Sequence, residues 1–378
     1  TTFSRRQFLQ MSAFAAAGFF VPGKQGSRRV LAHSVAGRNL SRDISAAPAA
    51  AGLSDPNIQP KFVNTVPDAL APGFKYTPTN KNKGKFKVAV GPSVQQTGLV
   101  DAAGNPLNTP VFGYGSPSTG YTWPGRTFEV QKDVPIRVKW ENRLQNQLHL
   151  LPVDTSLHWA YSLLGYTGYT IDKSGVPIVT HLHGGHTDFQ YDGNPEFFFS
   201  PGYTVRGPQW VAKEYIYDNS QVAGNLWYHD HALGITRLNV YAGMAGFYFV
   251  RDNDDTGKPD NPLGLPAWPY EKAYAIQDRM FRDTGELFYP AFPGDPYYDD
   301  FITGEGAVLP PDIFPGGGPT ALAEFFGDHM VVNGVIWPKE DVEPRNYRLH
   351  LLNGTDSRFM VIQFHSTDTD HLIPFYVI

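Results

Sequence analysis

The chain has no cysteine in 378 residues and only five methionines. A disulfide framework is therefore excluded, and so is any thiolate metal ligand within these residues. It also lacks a long apolar run: the stretch Phe8 to Val21 is short and rich in Gly and Ala, so no stable membrane span is expected. Nor is there an excess of positive charge. Lys and Arg total 31 against 36 Asp and Glu, a formal net charge of -5. No basic stripe with interleaved aromatics runs along the sequence, so nucleic acid is not an expected partner.

What the chain has in quantity is glycine (38), proline (32) and aromatic residues (14%). That composition favours many short strands joined by turns over long helices, so the expected fold is all-β. "KFKVAVGPSVQQ" (Lys85 to Gln96) alternates polar and apolar residues, and "YTWPGRTFEVQKDVPIRVKWENRL" predicts two further strands, with breaks at Pro124-Gly125 and Lys132-Asp133. "GNLWYHDHALGITRLNVYAGMAGFYFVRD" predicts a strand, a short segment around residues 232–239, and an apolar strand from Gly246 to Val250. The charged, turn-rich "DNDDTGKPDNPLGLP" marks a linker over residues 253–265, separating a domain at 55–252 from a second at 266–378. In the latter, turns are expected at Asn333-Gly334 and Asn353-Gly354. Its strand pattern stops at "HLIPFYVI", so this second domain is expected to be incomplete.

Residues 1–54 carry no core pattern. Arg5 and Arg6 precede the apolar stretch, an order that resembles a twin-arginine export signal. Cleavage is expected after Val30-Leu31-Ala32 or later, within "SAAPAAAG", and the Ala/Ser/Pro-rich remainder reads as a disordered tether. The expected location is the periplasm, the extracellular space or the cell envelope of a bacterium.

The chemistry concentrates in histidine. "THLHGGHTDF" (Thr180 to Phe189) holds three, and two H-x-H pairs occur: His181/His183 and His229/His231, 48 residues apart. On a strand, residues i and i+2 point to one face about 6–7 Å apart, so each pair can present two imidazoles on one side; a helix would splay them. Gly184 and Gly185 are expected to leave room beside bound ions. Imidazole-only ligation suits copper, zinc, iron or nickel, and spacing alone does not choose among them. His329, His350 and His365 occur singly and read as surface or satisfied core residues. Trp227 and Tyr228 read as packing around the ligand strand.

"HLHGG", the following "YDGNPE" and "WYHDHALGITRLNVYAGMAGFYFVRD" are similar to the first domain of multicopper oxidases, nearest to the bacterial spore-coat laccase and bilirubin oxidase branch. "YAIQDRMF" and "HMVVNGVIWPKEDVEPRNYRLHLLNGTDSRF" resemble that branch's second domain. The resemblance implies tandem cupredoxin-like Greek-key β-sandwiches that couple one-electron oxidation of a small reducing substrate to reduction of dioxygen to water; a phenol is the expected substrate, with aromatic amines, bilirubin-like pigments and low-valent metal ions left open. It implies that His181 binds a type 2 copper, that His183 and His229 share one type 3 copper, and that His231 binds the other. Asp192 falls where the family has an acid near the type 2 copper, a candidate proton relay. An Asp-Gly turn explains the same residue equally well. His186 has no counterpart in the pattern and reads as a loop histidine able to hydrogen-bond behind the ligands.

The family's third domain carries four more cluster ligands and the thiolate-bound type 1 copper. This chain has neither a third H-x-H motif nor any cysteine. The expectation is the N-terminal two-thirds of a copper enzyme, inactive without the missing third domain. The alternatives are a non-catalytic exported cupredoxin scaffold for envelope assembly and a copper-binding or storage protein. Against the scaffold stands the desolvation cost of inward-facing imidazoles that it would not need.

Overall fold

A computed structural model of the chain describes residues 52–79, 84–153, 174–291, 295, 297 and 324–378. The chain divides into two units, Thr1–Ala49 and Ala50–Ile378, and all the described residues belong to the second. The expected export signal and all but the last three residues of the tether lie outside the described residues. At residue 54 the chain already runs beside structure, the Ser54 N–H donating to Phe281 O.

Among the described residues, nine strands build two facing sheets. They are β1 (Lys85–Gln95), β2 (Thr109–Ser116), β3 (Gly120–Thr122), β4 (Gly125–Gln131), β5 (Ile136–Asn142), β6 (Thr180–His183), β7 (Glu214–Tyr217), β8 (Gly224–Asp230) and β9 (Ala245–Arg251). One sheet has the order β3-β2-β1-β5-β7 and the other β4-β9-β8-β6. Strands adjacent in space but distant in sequence, such as the parallel pairs β1 with β5 and β4 with β9, mark crossovers between the layers. The interior is aromatic. Tyr228 packs edge-on against Tyr114 and Phe128 and is tilted over Trp140, with ring centroids 4.9–5.8 Å apart. Each such fully buried ring contributes on the order of 2–3 kcal/mol. Pro92 sits in β1 beyond Val90, where pairing with β5 ends, so its missing N–H removes no bond from that ladder.

After β9 come turns, then β10 (Glu271–Phe281), β11 (Leu287–Phe288), β12 (His329–Val332), β13 (Val335–Ile336), β14 (Arg348–Asn353), β15 (Phe364–Ser366) and β16 (His371–Ile373). The third sheet has the order β11-β10-β12-β13, with β14 parallel to β10. Asn333 and Gly334 join β12 to β13 with φ of 50° and 82°, the left-handed pair that a two-residue type I′ hairpin requires. At Asn353 the chain instead leaves β14 through a side-chain turn, Oδ1 accepting from the Thr355 N–H and hydroxyl. A buried ion network ties β9 to β10 and β14: Arg251 makes two bonds of 2.8 and 2.9 Å to Glu271, which also meets Arg348 at 3.2 Å and His350 at 2.7 Å. No described helix is long and apolar enough to cross a membrane. The described residues form an all-β, cupredoxin-like fold, in which a short helix, α1 (Thr236–Tyr241), lies behind the histidine strands.

Candidate metal centre

The register between β6 and β8 decides what the histidines do. His181 stands directly opposite His229, and His183 opposite Trp227. Opposed residues share a face, and so do residues two apart. The rings of His181, His183, His229 and Trp227 therefore lie on one side of this edge, while Leu182, Tyr228 and Asp230 turn to the other. His231 follows just past the end of β8, held by its N–H to Val179 O at 2.7 Å. The structure brings all four histidines together: ring centroids are 5.2–5.7 Å apart for His181 with each of the other three, and for His229 with His183 and His231. Ligand atoms of His181, His183 and His229 lie within 4.8 Å of one another.

Hydrogen bonds select the nitrogen that each ring offers. His181 Nδ1 bonds Asp192 O at 2.5 Å and His229 Nδ1 bonds Asp230 O at 2.7 Å, so each carries its proton there and leaves Nε2 as a lone pair. His183 Nδ1 lies 3.1 Å from that His229 Nε2. Two nitrogens at this separation can both reach one ion at about 2.0–2.1 Å. Without an ion, the His183 proton fills the same gap. His231 Nδ1 is buried with no hydrogen-bond partner among the described residues.

The electrostatics favour neutral rings. Burial, with smaller contributions from the other histidines, pushes His229 down to about 3. Burial and the charges of neighbouring histidines also lower His183, and burial followed by the charge of His181 lowers His231. Neutral imidazole is the form that binds a metal. Trp227 stacks on His183 at 5.2 Å and lies 4.2 Å from the His229 ring, fixing both orientations. A cavity of about 570 Å³ opens on this face, bounded by the four histidines and Trp227, by Arg237 and Arg279, and by residues 353–357.

Asp192 forms the Asp-Gly turn read from the sequence and also brings its carboxylate beside His181. Gly193 follows it with φ of 76°, and a Cβ there would sit 2.2 Å from Thr180 O, so the Asp-Gly turn is required for close approach to β6. The Asp192 carboxylate lies 3.6 Å from His181 Nδ1, accepts the Thr187 hydroxyl, and is 42% exposed, so it faces both the cluster and solvent. The glycines after His183 serve the backbone rather than ligand access. Gly184 turns with φ of 84°, and the space beside Gly185 is filled by Leu182, 2.8 Å from where a Cβ would be.

His186 is exposed on its loop, its backbone N–H donating to Gln221. His329 and His350 are buried and bonded, to Ser54 and Asp328 and to Glu271 and Asn225, while His365 pairs with Asp370 at the surface. Sequence reasoning missed His149, which is partly buried near the ligand strands with both nitrogens bonded. A histidine in "QLHLLP" carries no spacing signal.

No family model matches the chain. It is 39% identical over 235 residues to a laccase of Bacillus stratosphericus, covering 62% of this chain and 40% of that protein. It is 36% identical over 236 residues to a laccase of Bacillus subtilis, again 62% and 40%, and 35% identical over 266 residues to a multicopper oxidase of Arabidopsis thaliana, 70% and 40%. The chain thus spans about two fifths of the length of these curated relatives. In fold it is similar to the multicopper oxidase McoA of Aquifex aeolicus, with a TM-score of 0.50 at 19% identity over 78% of this chain and 46% of that one. By these sequence relatives the chain, at about two fifths of their length, belongs to the multicopper oxidase family.

Proposed function

We propose that this chain supplies half of the trinuclear copper ligands of a laccase-like enzyme, which oxidises a small reducing substrate, phenolic by preference, one electron at a time and reduces dioxygen to water. Four electrons and four protons are consumed per dioxygen, giving two waters. The observation that carries this reading is the set of four imidazoles on one face, with His183 Nδ1 and His229 Nε2 separated by 3.1 Å. In this reading His181 holds the type 2 copper, His183 and His229 share one type 3 copper, and His231 holds the other. When bound, copper supplies the one-electron chemistry, for which all-imidazole ligation is suited. The chain's own residues orient the ligands: Asp192 O and Asp230 O fix the tautomers of His181 and His229, and Trp227 fixes two ring planes. The Asp192 carboxylate, held by Thr187, takes protons from solvent and releases them beside His181.

The type 1 copper, with the four remaining cluster ligands, belongs in this proposal to a third cupredoxin-like domain outside this sequence. With copper added, the 378-residue chain is expected to show no sustained oxygen uptake with a phenolic substrate. A longer chain carrying the third domain is expected to turn over and to lose that activity on His229→Ala. Multiple turnovers by the short chain, dependent on His229, would overturn the requirement for a third domain. Copper binding with no oxidase activity in the longer chain would favour a storage protein, and absence of copper binding in both a scaffold.

A further inference from the structure

Asp230 lies between two of the histidines, yet its side chain faces away from them, as strand alternation dictates. It is fully buried, and its carboxylate accepts three bonds: from Val179 N at 2.9 Å, Ala232 N at 3.0 Å and Asn239 Nδ2 at 2.7 Å. Val179 precedes β6, and Ala232 follows His231. The β6–β8 ladder ends at the pair Thr180 and Asp230, so these two amides lie beyond its last rung. Here one carboxylate joins both amides beside the His231 N–H to Val179 O bond, just where His231 has left the strand.

Asn239, on α1, is also fully buried. Its Nδ2 donates to Pro177 O at 2.9 Å as well as to Asp230, which leaves Oδ1 as acceptor. His149 Nε2 lies 3.1 Å from that Oδ1 and must be the donor. His149 Nδ1 then has to be a lone pair, and it accepts Leu151 N–H at 3.0 Å. Every donor and acceptor in the chain His149, Asn239, Asp230 is thereby assigned without conflict. The ring of His149 is kept in place by Phe112, edge-on at 5.5 Å. Three loops meet in this network: residues 146–153, the segment before β6, and the turn after β8.

We propose that Asp230, Asn239 and His149 form one positioning relay that clamps the backbone at the ends of both histidine strands and so sets the spacing on which metal binding depends. The proposal rests on the metal reading above and adds to it the three residues that hold the ligands in place without touching the ion. His231 depends on the relay most, because it lies outside the ladder, and it is the histidine absent from the tight three-ligand group.

The test uses the whole chain with Cu(II) as probe, measuring affinity by chelator competition, the electron paramagnetic resonance spectrum, and amide hydrogen exchange without metal. Asn239→Leu is expected to weaken Cu(II) binding by about tenfold, the range found when partners behind metal ligands are removed. It is also expected to alter the spectrum and to speed exchange at Val179 and Ala232. His149→Phe, one bond further from the histidines, gives the same changes in milder form. His149→Gln, which keeps a donor for Asn239, restores them. Val138→Ala, a core truncation on β5, lowers thermal stability but leaves spectrum and affinity unchanged. Parental affinity and exchange in folded Asn239→Leu and His149→Phe would overturn the relay, as would an equal effect of Val138→Ala. If neither the unsubstituted chain nor the longer chain with the third domain binds Cu(II), the metal reading fails by itself; unchanged exchange at Val179 and Ala232 in folded Asn239→Leu overturns the clamp as well.

Discussion

His183 Nδ1 and His229 Nε2 face each other across 3.1 Å, although their residues belong to different strands and are diagonal rather than opposed in register. A shared cation is the natural occupant of such a gap between neutral rings. His183→Ala and His229→Ala are therefore each expected to weaken Cu(II) binding by at least about tenfold. His186→Ala and His365→Ala, both outside the cluster, are expected to leave it unchanged. Isothermal titration of the four variants checks this.

Gly193→Ala is expected to damage the site from the backbone side. At φ of 76°, with Thr180 O only 2.2 Å from the new Cβ, either β6 or the Asp192 turn must move. The cost is about 2 kcal/mol of stability, measurable by urea denaturation, together with weaker copper binding because both His181 and Asp192 are displaced.

Acid should destabilise the metal-free chain. Burial pushes His149 down to about 4 from 6.5, against smaller opposing contributions from its bonds to Asn239 and Leu151. A depressed folded value means that this stability is present above pH 6.5 and lost as pH falls toward 4. In that window His149 adds up to one proton to the slope, about 1.4 kcal/mol per pH unit. Urea midpoints measured across it should fall less steeply for His149→Gln; an equal slope would remove His149 as the cause.

Glu271 is held at about 2: burial alone would raise it, but hydrogen bonds from His350 and Arg251 and the charge of Arg251 outweigh that. Glu271→Gln leaves Arg251 and Arg348 short of a buried countercharge and is expected to cost about 3–5 kcal/mol. Because this network joins β9 to β10 and β14, thermal unfolding should show the loss while the histidine cluster keeps its copper affinity.

Export by the twin-arginine route is a separate proposal resting on Arg5 and Arg6. Replacing both with lysine is expected to leave the protein in the cytoplasm of a bacterial host, checked by fractionation. Normal export of the double variant would dismiss the signal.

Local pattern made much of this protein legible from its sequence. Alternation and turn residues located strands such as Lys85–Gln95 and the Asn333-Gly334 hairpin, because strand period and left-handed turn geometry are properties of adjacent residues. The H-x-H spacing placed each histidine pair on one strand face for the same reason. Only the tertiary structure decided that the two pairs meet. That outcome depends on the β6–β8 register, and a one-residue slip would have sent one pair to the opposite face. The tertiary structure likewise decided that Asp230 faces inward onto two amides, and that His149 and Asn239, 90 residues apart, share a side-chain bond. Contacts of that kind are fixed by how sheets and loops pack, and no period or spacing along the chain encodes them.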